Sequence, residues 1–128
     1  MRVLLDTHSF LWFIAGNEEL SDEARAVIGD PENEVLLSVA SLWEISIKSS
    51  IGKISLAMPF EELIPDQMAQ NNIELLTIEV GHLAALTTLP FHHRDPFDRM
   101  IITQAMAEDL PIVGNDPIYE QYLVEMVW

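Results

Sequence analysis

Cysteine is absent from this chain. That removes disulfides, thiolate-bound zinc and thiol nucleophiles from consideration. It agrees with a reducing compartment without requiring one. Positive charge is almost as scarce: six Lys and Arg stand against 21 Asp and Glu, for a formal net charge of −15 at pH 7. Proteins that bind nucleic acid through general electrostatic attraction are normally basic. A polyanionic ligand would therefore have to be met here by metal ions or by a few local cations. No apolar run approaches the roughly 18 residues of a spanning helix. The short apolar run after Met1-Arg2 is also too brief for the core of a signal peptide. The expectation is a soluble, cytoplasmic protein with no membrane attachment.

What is present is sized for one domain over residues 1–128 with one real core. Hydrophobic residues make up 49% of the chain, and the mean hydropathy is +0.19. Values this high in a small chain point to a strongly buried sheet, to a subunit interface, or to both. The pattern alternates short apolar runs with helical periodicity. Val3–Leu5 reads as a strand ending in Asp6, and Phe10–Ile14 as a helix closed near Gly16. Ser21 caps a second helix that stops near Gly29-Asp30-Pro31. Val35–Leu37 is the second strand, and Ser38 opens a helix running through Ile51. Pro59-Phe60 starts a fourth helix, and Ile73–Ile78 is a third strand. Val80–Leu89 is a helix ended by Pro90, and Phe91–Arg94 is a loop. Asp95-Pro96 opens a helix to about Glu108. Pro111–Gly114 is a fourth strand, Asp116-Pro117 starts a short helical turn, and Val124–Trp128 is a possible last strand. Strands separated by helices imply a mainly parallel sheet of four to five strands covered on both faces. Functional groups in such sheets gather beyond the C-terminal strand ends.

Four acids from distant segments fall at that edge. Asp6 ends the first strand, Asp116 lies just past the fourth, Asp98 sits in the first turn of the preceding helix, and Glu44 lies in the helix after the second strand. Each Asp has a plainer reading. Asp6-Thr7, Asp95-Pro96 and Asp116-Pro117 all suit helix starts, and Asp98 would complement a helix dipole at N3. Glu44 is different, because its window, Val39-Ala40-Ser41-Leu42-Trp43-Glu44-Ile45-Ser46-Ile47-Lys48, is largely apolar. A buried carboxylate costs several kcal/mol unless compensated. Lys48 at i+4 is one compensator, and a metal ion is a better one.

With those residues in hand the chain resembles the PIN-domain family, and within it the VapC-like toxins of bacterial toxin–antitoxin pairs. The resemblance covers essentially the whole chain. Leu4-Leu5-Asp6-Thr7-His8 is similar to the first family motif, and Ser38-Val39-Ala40-Ser41-Leu42-Trp43-Glu44-Ile45 to the second. The stretch from His93-Arg94-Asp95-Pro96-Phe97-Asp98-Arg99 to Ala105 resembles the third, with Asp98 rather than Asp95 in the acidic place. Ile112-Val113-Gly114-Asn115-Asp116 resembles the fourth. One departure is Gly114, where the family usually carries Thr or Ser. The hydroxyl that would orient a metal-bound carboxylate is missing, so either Asn115 replaces its hydrogen bond or the site is weaker. The resemblance implies a PIN-like three-layer α/β/α sandwich, Mg²⁺ or Mn²⁺, RNA cleavage, a homodimer and neutralisation by a cognate antitoxin protein.

The chemistry of the residues agrees. Oxygen ligands without His or Cys favour Mg²⁺ or Mn²⁺ over zinc. Like charges about 4 Å apart repel by about 4 kcal/mol at an effective dielectric near 20, and a divalent ion relieves that repulsion. Such an ion also activates water and stabilises charge developing on phosphate. The expected reaction is in-line hydrolysis of an RNA phosphodiester, leaving 5′-phosphate and 3′-hydroxyl ends. Asp6 and Asp98 are the main ligands in this reading, with Glu44 and Asp116 holding a second ion or orienting water. Thr7, Ser41, Lys48, Arg94 and Asn115 are the candidates for substrate contact or supporting hydrogen bonds. Arg99 is a weaker candidate, because it points to another part of its helix. His92-His93 lack a metal-ligand spacing, while His8 follows the first acid closely. A haloacid-dehalogenase-like phosphatase would want Asp where His8 stands, and a receiver domain would want a late Lys that the chain lacks after Lys53. The remaining alternative is a catalytically weak PIN scaffold that acts as a protein-binding module.

Overall fold

The computed structural model describes residues 1–128. In chain order it runs β1 (Arg2–Leu5), α1 (Thr7–Ala15), α2 (Asp22–Gly29), β2 (Glu34–Ser38), α3 (Val39–Ser50), α4 (Phe60–Gln70), β3 (Ile73–Leu76), α5 (Val80–Leu86), α6 (Pro96–Ala107), β4 (Ile112–Val113), α7 (Ile118–Gln121) and β5 (Met126–Val127). The strands form a five-stranded sheet in the order β3-β2-β1-β4-β5. Every neighbouring pair is parallel.

The sheet is buried on both faces, which is why its strands read as continuous apolar runs. Successive side chains point to opposite sides, and the two cores divide accordingly. Val3, Leu5, Val35, Leu37 and Val113 pack with Phe10, Ala24, Ile28 and Ile64, from α1, α2 and α4. Leu4, Leu36 and Ile112 pack with Met100, Ile101, Ile102, Ala105 and Tyr119, from α6 and α7. Helix α3 runs between the two, with Ile45 in the first core and Ala40 in the second. This is the expected three-layer α/β/α arrangement.

The outlines follow the sequence with small shifts. Helix α1 starts at Thr7, three residues before the apolar run, because Asp6 caps it by accepting from the Ser9 amide at 2.7 Å. It ends at Gly16, whose φ of 64° is the left-handed conformation glycine adopts without penalty. The third strand stops at Leu76 instead of Ile78, and the last is the two-residue Met126–Val127. The topology positions the site. From β1 the chain steps through β2 and β3 on one side, then returns to place β4 and β5 on the other. The crevice beyond β1 and β4 is therefore the point where strand order reverses, the usual ligand position in open parallel sheets.

Candidate active site

Asp6 stands at the C-terminal end of β1, only 7% exposed. Its Oδ1 accepts from the Ser9 amide at 2.7 Å, and its Oδ2 accepts from the Tyr119 hydroxyl at 3.1 Å. Burial pushes its carboxyl above the ordinary value of 3.8, against the Ser9 hydrogen bonds, the nearby His8 and the Tyr119 hydroxyl, which lower it. The Ser9 hydroxyl donates to the Val113 carbonyl at 2.8 Å, tying α1 to β4.

The next residue links β1 to α3. The Thr7 hydroxyl donates to Glu44 Oε1 at 2.7 Å and stands 3.0 Å from Ser41 Oγ. Glu44 is 3% exposed, as the apolar window around it requires. Lys48 Nζ donates to Glu44 Oε2 at 2.6 Å, one helical turn on. The ion pair weighed from sequence is thus formed, and Lys48 also lines the cleft. The hydrogen bond to Glu44 holds the Lys48 ammonium above its ordinary 10.5. The charges of Glu44, Asp95 and Asp98 act in the same direction, against partial loss of solvation.

At the start of α6, Asp95 accepts from the amides of Phe97 and Asp98. Asp98, in the first turn, accepts from His93 Nε2 at 2.8 Å. Burial raises the Asp98 carboxyl, and the charges of Asp95 and Glu44 raise it further against the His93 contact. Beyond β4, Asp116 is exposed and accepts from the Ile118 amide at 3.0 Å. It therefore stands one residue before the Pro117 cap of α7, in a side-chain turn onto Ile118, and still lines the crevice.

These elements enclose a cleft of about 420 Å³ whose walls include Asp6, Thr7, Glu44, Lys48, Asp98, Asn115 and Asp116. Asp95, His8, Trp12, Pro117 and Tyr119 complete them. All four acids expected at the site line this one cleft. As placed, no three acidic or imidazole groups form a set able to grip an ion. Glu44 is engaged by Lys48 and Asp98 by His93, so shared coordination requires these partners to give way through side-chain rotation.

Three expectations are revised. Arg99 is unavailable to a substrate: it is 5% exposed, and its guanidinium donates to the carbonyls of Leu89, Pro90 and His93 and to the Tyr122 hydroxyl. Its role is to fold the loop that carries His93. Arg94 is exposed and does not line the cleft. The hydroxyl absent at Gly114 is supplied by Tyr119, while exposed Asn115 makes no side-chain hydrogen bond to Asp6. Tyr119 escaped the sequence reading because one aromatic in a short polar helix looks like core. The bare glycine at a strand end was the available signal, since something had to occupy the space beside it.

The comparisons with known proteins agree with this fold. A family model described as PIN domain matches residues 3–122. Ribonuclease VapC16 of Mycobacterium tuberculosis is 36% identical over 63 residues, spanning 49% of this chain and 45% of that relative. The match thus takes in less than half of the curated relative's length. Among solved structures, VapBC2 from Rickettsia felis, bound to a DNA fragment from its promoter, aligns over 98% of this chain and 97% of that one. Its TM-score is 0.72 at 14% identity. VapBC-1 from nontypeable Haemophilus influenzae aligns over 98% and 96%, with TM-score 0.66 at 14% identity. A toxin–antitoxin complex from Klebsiella pneumoniae aligns over 89% and 86%, with TM-score 0.58 at 16% identity. At these identities the structural likeness speaks to fold alone.

Proposed function

We propose that this chain, which belongs to the PIN-domain family, is a divalent-metal-dependent endoribonuclease and the toxin of a toxin–antitoxin pair. One observation carries the reading: Asp6, Glu44, Asp98 and Asp116, from four separated segments, line one cleft at the switch point of the sheet. Asp6 and Asp98 are both raised by burial, and Asp98 also by its acidic neighbours. A crowded, oxygen-only donor set of this kind fits Mg²⁺ or Mn²⁺. Such an ion would be held by Asp6 and Asp98, with Glu44 and Asp116 completing the set or orienting water. When bound, it supplies an activated water and stabilises charge on the phosphoryl oxygens. The chain's own part is to aim the acids: Ser9 and Tyr119 set Asp6, Thr7 sets Glu44, and His93 sets Asp98. Lys48 is the cation within the cleft for the RNA backbone.

The name of the curated relative supports ribonuclease activity, and the solved toxin–antitoxin complexes support a protein partner. An apolar groove of about 300 Å³ beside α1, lined by Leu11, Trp12, Ile14, Leu56 and Leu63, offers such a partner a surface. A homodimer and a cytoplasmic location belong to the same reading, and no helix is long and apolar enough to cross a membrane. The test is cleavage of structured RNA with and without Mn²⁺ by the Asp6→Asn and Asp98→Asn proteins. Undiminished cleavage by both refutes the site. The second reading, a catalytically weak scaffold, is favoured by one observation, that no three acids stand ready to grip an ion. Calorimetric titration separates the two, because a scaffold takes up no Mn²⁺ at millimolar concentration.

A further inference from the structure

We infer that Tyr119 is the positioning residue that orients the Asp6 carboxylate, and that residue 114 is glycine because this carboxylate and the Tyr119 ring fill the space a side chain would need. The inference rests on Asp6 belonging to the proposed metal site.

The carboxylate of Asp6 is gripped on both oxygens by different parts of the chain. The Ser9 amide on Oδ1 is local, and any Asp that caps a helix obtains it. The Tyr119 hydroxyl on Oδ2 comes from the far end of the chain. Together they fix the carboxyl torsion, which one hydrogen bond leaves free. Tyr119 is itself packed in place: it is 2% exposed and belongs to the core cluster that holds Leu4, Ile101 and Ile112. The Asp116 carboxylate, which accepts from the Ile118 amide, and the Asp116 carbonyl, which accepts from the Tyr119 amide, begin the turn that carries the ring inward.

Gly114 completes the arrangement. A Cβ built there would lie 2.6 Å from Asp6 Oδ2, 3.0 Å from Asp6 Cγ and 3.1 Å from Tyr119 Cε2. Neither neighbour is a flexible side-chain end, since one is doubly hydrogen-bonded and the other is packed in the core. Unlike Gly16, Gly114 has no positive φ, so space and not backbone conformation demands the glycine. A hydroxyl borne on residue 114 and the phenol of Tyr119 would compete for one carboxylate oxygen, and this chain uses the phenol.

A merely structural tyrosine would satisfy its own hydroxyl and affect stability alone. A positioning tyrosine also governs cation affinity, because partners that orient metal ligands typically alter affinity or activity by about 10–100-fold. The experiment is Mg²⁺ calorimetry and thermal unfolding of the full chain and of Tyr119→Phe, Gly114→Ser, the double variant and Asp6→Asn. Carbon-13 tyrosine NMR of the wild type accompanies it, with only Tyr119 and Tyr122 to resolve. Tyr119→Phe is expected to bind Mg²⁺ about tenfold more weakly and to lower kcat on RNA with little change in KM. Gly114→Ser alone also weakens binding by overlap. The double variant is expected to regain nothing over Tyr119→Phe, because the phenyl ring and the Asp6 carboxylate still occupy the space that a Cβ at residue 114 needs. In the wild type, Mg²⁺ shifts the Tyr119 signal more than that of Tyr122. Wild-type affinity in Tyr119→Phe, together with loss of binding in Asp6→Asn, overturns the inference and leaves the site standing. Unchanged binding in Asp6→Asn overturns both. Should Tyr119→Phe fail to fold, an unshifted Tyr119 signal in the wild type overturns the inference by itself.

Discussion

Two buried polar networks sit at this sheet, one neutral and one overcharged. In the first, the Ser38 hydroxyl donates to Gln104 Oε1, Gln104 Nε2 donates to the Thr77 carbonyl, and His82 bridges the Glu79 amide and the Glu108 carboxylate. Apart from the half-exposed Glu108, every member is neutral or backbone, and every polar atom has a partner. In the second, Asp6, Glu44 and Asp98 draw on Ser9, Tyr119, Thr7, Lys48 and His93, and Asp98 is still raised by burial and by the charges of Asp95 and Glu44. The first joins α5 and α6 to β2 and stabilises them as satisfied buried hydrogen bonds do. The second leaves surplus negative charge facing a cleft, which is a poor device for stability and a good one for cations.

The contrast breaks most sharply on activity. Asp98→Asn is expected to lower RNA cleavage by about 10²-fold or more while leaving the fold intact by circular dichroism. Gln104→Ala should do the reverse. It strands Ser38 and the Thr77 carbonyl, costs about 1–3 kcal/mol in urea unfolding, and leaves cleavage by the folded fraction unchanged. If Gln104→Ala abolishes cleavage while remaining folded, the two networks are not separable.

Lys48→Met sharpens the comparison from the charged side. It removes the partner of a carboxylate that is 3% exposed, but Lys48 is itself partly solvated, so the loss is discounted to about 1–2 kcal/mol. Added Mn²⁺ should raise the Tm of this variant more than that of the wild type. Equal shifts would show that Lys48 does not stand in for a cation.

The smallest effect is in pH. An acid raised above its unfolded value binds its proton more tightly in the folded chain. Asp6 and Asp98 are both raised above 3.8 by burial. Their contribution therefore favours folding as pH falls from neutrality through the raised range, and it is complete once pH is below the ordinary value. Asp98→Asn should consequently be more stable than the wild type at neutral pH, with the gap closing on acidification. Thermal melts across that range measure it, and a gap that widens toward acid contradicts the cause assigned to the shift.

Much of this was readable beforehand because the signals are local. Asp6 and Asp95 look like caps and are caps, and the apolar window around Glu44 does bury it. Asp116 read both as a cap and as a neighbour of the site; it lines the cleft, but the cap of α7 falls on Pro117. Arg99 was legible only in part: its place on the helix set it apart from the acids, but not that its guanidinium is spent on loop carbonyls. His93 was not legible, since its hold on Asp98 depends on how that loop folds back.

Alternating apolar runs, helix caps and the placing of acids after strands settled the parallel layered fold and the edge at which the acids lie. These depend on periodicity and on hydrogen bonds within a few residues, which a linear chain displays directly. Only the tertiary structure decided which donor holds which carboxylate. Tyr119 reaches Asp6 across the whole length of the chain, and a contact between groups so distant is set by packing geometry that no local pattern encodes.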